Sequence, residues 1–146
     1  MSRSSMRHVA FIMDGNRRWA NKNGDHLLEA RAARAVREVT AFALEHALTH
    51  LSLYAYSLEN FTQRAAGGRS RIFTMIAHFC AAEKQFFLDN DIRIQFVGKR
   101  DLYPATVREA LEACEYSTRF GKRLTLSVLL CYGGQQDIVS AACALA

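Results

Sequence analysis

Short apolar runs alternate with longer segments of helical periodicity along the whole chain. Strand-like runs are expected at residues 8–13, 51–56, 92–97 and 124–132. Apolar residues at three- and four-residue steps, with Pro104 and Gly121 as boundary signals, predict helices at residues 28–48, 72–88, 104–120 and from about 136 onward. Strands separated by helices of this length need crossover connections, so the sequence predicts an α/β fold with a mostly parallel sheet flanked by helices. The first run, 8–13, is almost wholly apolar and is expected to be a strand buried on both faces.

Composition favours one globular domain over residues 1–146, with residues 1–6 expected to be flexible. Half of the 146 residues are hydrophobic and 23% are charged, which argues against disorder. No apolar run approaches the roughly 18 residues of a membrane span, and the N-terminus lacks a signal-peptide pattern. We therefore expect a soluble, cytoplasmic protein. Residues 137–146 form an apolar helical segment without a stop signal, so we expect that the gene product continues or that the chain is a fragment.

Charge and cysteine usage exclude several classes of function. The net charge of +5 permits an anionic partner, but Lys and Arg are spread along the chain, and no nucleic-acid partner is predicted. The four cysteines form no C-x-x-C pair and are expected to be reduced and mostly buried. The five histidines have no metal-ligand spacing. Neither a P-loop nor a dinucleotide-binding glycine pattern is present.

Unusual polar residues follow each predicted strand. Asp-Gly-Asn-Arg-Arg follows the first strand, Ser-Leu-Glu-Asn the second, Gly-Lys-Arg-Asp the third and Gly-Gly-Gln-Gln-Asp the fourth. Ligands of open parallel sheets bind outside the carboxyl ends of the strands. The pattern therefore predicts four polar loops that converge on one rim.

The segment from Asp14 to Trp19 is the most informative of these loops. Asp14 could hold a hard cation such as Mg²⁺, and Gly15 lets backbone approach a ligand closely. Backbone N–H groups from Asn16 onward would face an anion if they open a helix, and Arg17 and Arg18 suit phosphate. This combination indicates a diphosphate–Mg²⁺ site. The alternative is an ordinary turn with a capping Asp and two solvated Arg side chains.

Two further groups of residues also have a structural and a functional interpretation. Ser57, Glu59 and Asn60 could support acid–base chemistry or orient a substrate, or Ser57 could simply cap a helix. One predicted helix is rich in phenylalanine, at positions Phe73, Phe79, Phe86 and Phe87. Core packing explains such a helix, as does the wall of an apolar tunnel beside the phosphate rim.

The polar loops and their strands resemble the cis-prenyltransferases, the undecaprenyl diphosphate synthase family. HVAFIMDGNRRWA at residues 8–20 looks like the opening signature, and LYAYSLENF at 53–61 resembles the second signature. Residues 92–98 and 132–138 resemble two more segments in the expected order. The resemblance implies a Z-prenyl diphosphate synthase that adds isopentenyl diphosphate to an allylic diphosphate such as farnesyl diphosphate. It also implies Mg²⁺ as cofactor, a homodimer, and peripheral membrane contact through the lipid product.

The resemblance assigns roles by position. Asp14 would bind Mg²⁺ and act catalytically together with Asn60, which would sit where a proton leaves the condensing unit. The remaining matched positions would bind substrate: Gly15, Asn16, Arg17, Arg18, Trp19, Arg31, Ser57, Leu58, Glu59, Phe61 and Arg64.

Several positions depart from the family pattern. Leu27 stands where the family usually has Arg, and Arg31 where it has His. Arg64 follows the second signature one residue late, and the family's C-terminal signature is absent. We therefore expect a synthase that lacks its C-terminal portion and is weakly active alone. Two alternatives remain open: a non-catalytic member that acts as a dimer partner or scaffold, and an irregular short-chain prenyl-coupling enzyme.

Overall fold

The structure is a computed structural model that describes residues 6–24, 28–64 and 66–145, with only the backbone of Arg17 and Ala66. Of residues 1–6, which are expected to be flexible, residues 1–5 lie outside the described part of the chain, as does the departure at Leu27. The elements follow in the order β1 (His8–Ile12), α1 (Asn16–Asn23), α2 (Leu28–Glu45), β2 (His50–Ser57), α3 (Leu58–Gln63), α4 (Ala66–Asp89), β3 (Ile92–Val97), a short 3-10 helix (Arg100–Leu102), α5 (Ala105–Thr118), β4 (Leu124–Tyr132) and α6 (Gly134–Leu145).

Four parallel strands form one sheet in the order β1-β2-β4-β3. In the register, Leu51 of β2 and Ile94 of β3 both lie beside Leu126 of β4. Each strand is joined to the next by a segment that contains a helix, as parallel pairing requires. The predicted α/β fold with a parallel sheet and flanking helices is confirmed.

The hydrophobic core lies on the three strands β2, β4 and β3. Alternate side chains of these strands are buried, among them Leu51, Ile94, Leu126 and Leu130. Each such side chain contributes roughly 1.5–3 kcal/mol by leaving water. Helices α4 and α5 supply further fully buried side chains to the same core, including Leu111 of α5.

Strand β1 corrects one expectation. It pairs only with β2 among the described strands and lies at the edge of the sheet. Ile12 is 81% exposed and Phe11 is 42% exposed, so the prediction of a strand buried on both faces is wrong. A run of apolar residues predicts a strand, but it does not say how many layers cover that strand.

Helix boundaries differ from the predicted ones where glycines or positive φ angles intervene. Helix α4 begins at Ala66, six residues before the predicted start at 72. Its first turn contains Gly67 and Gly68, which supply no large apolar side chain to the periodic pattern and yet do not break the helix. Helix α2 ends at Glu45, and Ala47 then adopts a φ of 54° as the chain turns into β2. No helix among the described residues is both long and apolar enough to cross a bilayer.

The cysteines and phenylalanines are placed as their apolar character suggests. Three of the four cysteines are buried and Cys143 is exposed, all as free thiols. This agrees with the expectation of mostly buried, reduced cysteines. Phe73 and Phe87 are fully buried in the core, whereas Phe79 lines the cavity described below.

Candidate active site

A cavity of about 820 Å³ lies between α2 and α4 on one face of the sheet. Its walls are mostly apolar, and they include Val36, Leu53, Ala55, Ile72, Met75, Ile76, Phe79, Ile94, Phe96 and Val128. The volume falls in the range of small-molecule sites, which are typically lined by apolar groups and a few well-placed polar ones. This cavity is large enough and apolar enough to receive an extended apolar group.

Polar groups surround the mouth of the cavity, at the carboxyl ends of β1 and β2. We define the mouth as Asp14, Gly15, Asn16, Arg18, Glu29, Asn60, Gln63, Arg64 and Arg71, all of which line the cavity. Asp14 and Gly15 come from the β1–α1 connection, and Asn16 and Arg18 from the first turn of α1. Asn60, Gln63 and Arg64 come from α3 and its end. Three arginines at this rim favour an anionic group outside an apolar interior.

Gly15 shapes the connection between β1 and α1. It caps α1 with a φ of 82°, a left-handed conformation that glycine adopts without a Cβ penalty. Helix α1 therefore begins at Asn16, as the anion-binding interpretation of this loop requires. The N-terminal N–H groups of α1 lie beside the mouth, where the helix dipole favours negative charge.

Asp14 and Arg18 form an exposed pair at the mouth. An Arg18 Nη donates to Asp14 Oδ2 at 3.1 Å, and the Gly15 N–H donates to Asp14 Oδ1. Both side chains are more than three-quarters exposed. A pair so exposed contributes little to stability, and its charges remain open to a ligand.

Asn60 lines the cavity, whereas the α3 residues beside it in the second signature and the capping Ser57 do not. Ser57 Oγ accepts from the Asn60 N–H at 2.9 Å and caps α3, which is the structural use considered above. Leu58, Glu59 and Phe61 also lie outside the cavity lining. The Glu59 carboxylate accepts from the Gln63 amide at 3.1 Å.

Arg64 lies at the mouth and stacks over a buried tyrosine. Its guanidinium carbon is 5.5 Å from the Tyr56 ring centroid. Burial raises the pKa of Tyr56, and the nearby Arg64 opposes that rise. The tyrosine hydroxyl donates to the Asn60 carbonyl oxygen at 3.3 Å, so Tyr56 connects two residues of the mouth.

Arg31 and Trp19 are placed together but outside the cavity lining. The Arg31 guanidinium carbon is 4.4 Å from the Trp19 ring, within cation–π distance. Neither residue lines the cavity. The structure describes only the backbone of Arg17, so the predicted contact of its side chain with substrate stays a prediction.

The four polar loops do not all reach this cavity. The loops after β1 and β2 line it, whereas those after β3 and β4 meet at a separate shallow depression that Lys99, Gln135 and Gln136 line. At the end of β4, the Tyr132 hydroxyl donates to Asp137 at 3.0 Å, and this hydrogen bond raises the pKa of Tyr132. The strand order explains the division, because β1 and β2 are neighbours and so are β4 and β3.

Sequence reasoning missed three charged residues of the cavity. Glu29 and Arg71 pair across the mouth at 3.7 Å, linking α2 to α4. Glu83 lines the cavity farther along α4 and pairs with Arg37 of α2 at 2.8 Å. A signal for Glu83 was present, since it continues the three- and four-residue steps of Ile72, Ile76 and Phe79 and places a charge on the apolar stripe.

The mouth suits Mg²⁺ only when the ion binds together with a phosphate group. Within residues 6–24, 28–64 and 66–145, no three His, Cys, Asp or Glu side chains cluster into a ready-made metal site. Mg²⁺ commonly keeps several waters and binds through one or two carboxylates plus substrate phosphates. The exposed Asp14 carboxylate fits that arrangement.

The parallel sheet carries an apolar cavity, and the anion-binding mouth of this cavity lies at the carboxyl ends of the strands. These features define a class of proteins that bind a ligand with a charged head and an apolar tail. The chain belongs to the undecaprenyl diphosphate synthase family of prenyltransferases, whose family model matches residues 12–146.

Relatives of this family match almost the whole chain. A ditrans,polycis-undecaprenyl-diphosphate synthase of Xanthomonas axonopodis, named as farnesyl-diphosphate specific, is 36% identical over 148 aligned residues, covering 100% of this chain and 57% of the relative. A geranylgeranyl-diphosphate-specific synthase of Archaeoglobus fulgidus is 33% identical over 138 residues, covering 92% and 55%. The chain thus spans little more than half the length of these relatives.

A solved structure confirms the fold independently. The lavandulyl diphosphate synthase of Lavandula x intermedia, in complex with dimethylallyl diphosphate, superposes with a TM-score of 0.89 at 23% identity. The match covers 97% of this chain and 61% of that one. At this identity the likeness supports the arrangement of strands and helices and nothing finer.

Proposed function

We propose that the chain binds an allylic isoprenoid diphosphate, with the diphosphate at the mouth and the hydrocarbon tail in the cavity. In the complete reaction, the bound allylic unit would be transferred to isopentenyl diphosphate to give a longer Z-prenyl diphosphate. The observation that carries the proposal is the apolar cavity of about 820 Å³ that opens on Asp14, Arg18 and the start of α1. The names of the two relatives, which specify farnesyl and geranylgeranyl diphosphate, support this substrate class.

The residues at the mouth divide the work on the diphosphate. Arg18 and the N–H groups at the start of α1 would hold the phosphate oxygens as negative charge develops on the leaving group. Asp14 would hold Mg²⁺, which when bound neutralises the diphosphate charge. Arg64, which lines the cavity at the end of α3, would add a further cation.

Asn60 and the apolar walls would serve the carbon chemistry. The Asn60 side chain reaches the cavity from α3, where its amide would orient the condensing unit beside the allylic carbon. The walls around Ile72 and Phe79 would keep water from the electron-poor allylic carbon. Ser57 would act by holding α3, and therefore Asn60, in place.

The proposal extends to the setting in which the protein works. We infer Mg²⁺ as its cofactor, a second copy of the chain as its partner and the cytoplasm as its location. A lipid product would bring the protein into peripheral contact with a membrane. The family signatures at residues 8–20 and 53–61 support these inferences.

A non-catalytic partner subunit is the second candidate. One observation favours it. The family resemblance assigns substrate binding to the position of Arg31, yet Arg31 stacks on Trp19 and does not line the cavity. A partner subunit would keep the fold and would not turn over substrate. The alternative of an irregular prenyl-coupling enzyme would bind the same allylic diphosphate and differ in its product.

Calorimetric titration with farnesyl diphosphate and Mg²⁺ tests the proposal. Asp14→Ala and Arg18→Ala should each weaken binding about tenfold or more, because a charge-assisted contact is worth roughly 1.5–3 kcal/mol. Arg34→Ala is the matched control, since Arg34 pairs with Glu38 on the exposed face of α2 and does not line the cavity. Absence of saturable binding by the folded chain would refute the proposal.

A second measurement separates the candidates. Incorporation of isopentenyl diphosphate into longer products would support the transferase. Binding without any incorporation would support the partner subunit, and analysis of the product would identify an irregular coupling enzyme.

A further inference from the structure

A charged pair stands at the end of the cavity that is farther from the mouth. Arg37 Nη1 donates to Glu83 Oε2 at 2.8 Å, joining α2 to α4. The Glu83 side chain is only 14% exposed, whereas Arg37 is about half exposed. The Arg37 guanidinium also lies 4.6 Å from the Phe86 ring, so two contacts hold it in place.

The order of residues along the helices places this pair at the inner end. Both α2 and α4 start near the carboxyl ends of the strands and must run back across the sheet to begin the next parallel strand. The cavity lining ends at Val36 on α2 and at Glu83 on α4. From Gly68, the first α4 residue that lines the cavity, to Glu83 the helix extends about 22 Å at 1.5 Å per residue.

The part of the wall that α4 forms ends in a charged side chain at Glu83. Between the mouth and this point, α4 contributes Ile72, Met75, Ile76, Phe79 and Ala82 to the lining, with the exposed His78 as its one polar side chain. A hydrocarbon tail gains free energy for each carbon that it buries against such side chains. Beyond Phe79, a longer tail would have to displace water from a paired carboxylate, which costs free energy without a compensating contact.

We propose that the Arg37–Glu83 pair is a polar stop that limits the length of the allylic tail the cavity accepts. Glu83 is then a specificity-determining residue, and Arg37 positions its carboxylate. This inference rests on the proposed function, since it concerns the tail of the same ligand. It predicts a selective effect, in which the pair acts on long tails and leaves the diphosphate end of the ligand unaffected.

Binding of a series of diphosphates tests the stop directly. The probes are inorganic diphosphate, then dimethylallyl, farnesyl and geranylgeranyl diphosphate, then an analogue with a still longer tail, all with Mg²⁺. In the unchanged chain, affinity should rise with tail length and then level off or fall. Glu83→Ala should move that limit to a longer tail, with at least about a tenfold gain for the first tail beyond it, because one added isoprene unit buries several carbons.

Two further variants make the result specific. Glu83→Gln keeps the size and removes the charge, and should shift the limit in the same direction by a smaller amount. Glu38→Ala removes a carboxylate from an exposed pair on α2 that does not line the cavity, and should leave the whole series unchanged. Thermal unfolding of each variant checks that it is folded.

The outcomes distinguish this inference from the function on which it rests. A selective gain for long tails in both Glu83 variants supports the stop. Normal binding of the shorter diphosphates with an unchanged length limit in folded Glu83→Ala and Glu83→Gln overturns the stop alone. If no tailed diphosphate binds better than inorganic diphosphate in any variant, the proposed function fails and the stop fails with it.

Discussion

The two edge strands of the sheet are stabilised very differently. On β3, the outward N–H of Phe96 donates to Glu115 at 2.7 Å and that of Ile94 to Thr118 Oγ1 at 3.2 Å, so α5 covers this edge with side-chain acceptors. On β1, by contrast, Ile12 is 81% exposed, and β2 is the only strand beside it among the described residues. The covered edge supports the core, and the open edge leads directly into the mouth of the cavity.

This difference separates stability from function within one sheet. Residues whose main role is packing concentrate around β3, β4 and α5, where Leu111 and Leu126 are fully buried. Residues assigned to the ligand, such as Asp14 and Arg18, follow β1 and are open to solvent. Substitutions around β3 should therefore act mainly on stability, and substitutions at Asp14 and Arg18 mainly on binding of the diphosphate.

The largest effect on stability is expected for Ile94→Ala. Ile94 is 1% exposed on the covered edge strand, and truncation removes buried carbons and leaves a space behind. The free energy of unfolding should fall by about 3 kcal/mol, the range typical of buried Ile or Leu truncations. Urea denaturation measures this change. A loss below about 1 kcal/mol would contradict the role of the covered β3 edge in supporting the core.

Glu115→Ala should have the second largest effect. The Glu115 carboxylate accepts two hydrogen bonds from Arg100, at 2.7 and 2.8 Å, besides the one from the Phe96 N–H. Its removal leaves that strand N–H without its acceptor and takes two hydrogen bonds from the guanidinium, which keeps the one it donates to the Phe96 carbonyl oxygen. We expect a loss of about 2–3 kcal/mol in urea denaturation.

Glu112→Ala is the matched control for that experiment. Glu112 lies on the same helix and is exposed, so its removal should change the free energy of unfolding by less than about 0.5 kcal/mol. Equal losses in the two variants would show that the effect arises from helix α5 itself and not from the cover it gives to β3.

The smallest effect is expected for Ile12→Ala, the counterpart of Ile94→Ala on the open edge. The Ile12 side chain is mostly in water, so the free energy of unfolding should change by less than about 0.5 kcal/mol. The same urea titration measures it. A loss approaching that of Ile94→Ala would contradict the contrast between the two edges.

The sequence allowed the β2, β3 and β4 strands and the α/β class to be predicted because periodicity reports secondary structure locally. It could not report that β1 is an edge strand, because the burial of Ile12 depends on which elements lie beside it. The candidate site divides in the same way. Asp14 and Asn60 were found from short signatures. The helical steps place Glu83 on the apolar stripe of α4, but only the packing of α4 shows that this stripe lines a cavity.

Ser57 shows how one residue type carries two interpretations until the backbone is seen. Its hydroxyl was a candidate for proton transfer and equally a candidate helix cap. The 2.9 Å hydrogen bond from the Asn60 N–H identifies the capping contact, which no sequence pattern could distinguish from the other use.

The strand order β1-β2-β4-β3 has a consequence for how the chain assembles during synthesis. β4, at residues 124–132, is the last described strand to be made, yet it lies inside the sheet between β2 and β3. Until it leaves the ribosome, β3 has no neighbour and the inner edge of β2 stays open. A nascent chain therefore carries unpaired apolar strands until residues 124–132 have been made, a state in which chaperones protect proteins from aggregation.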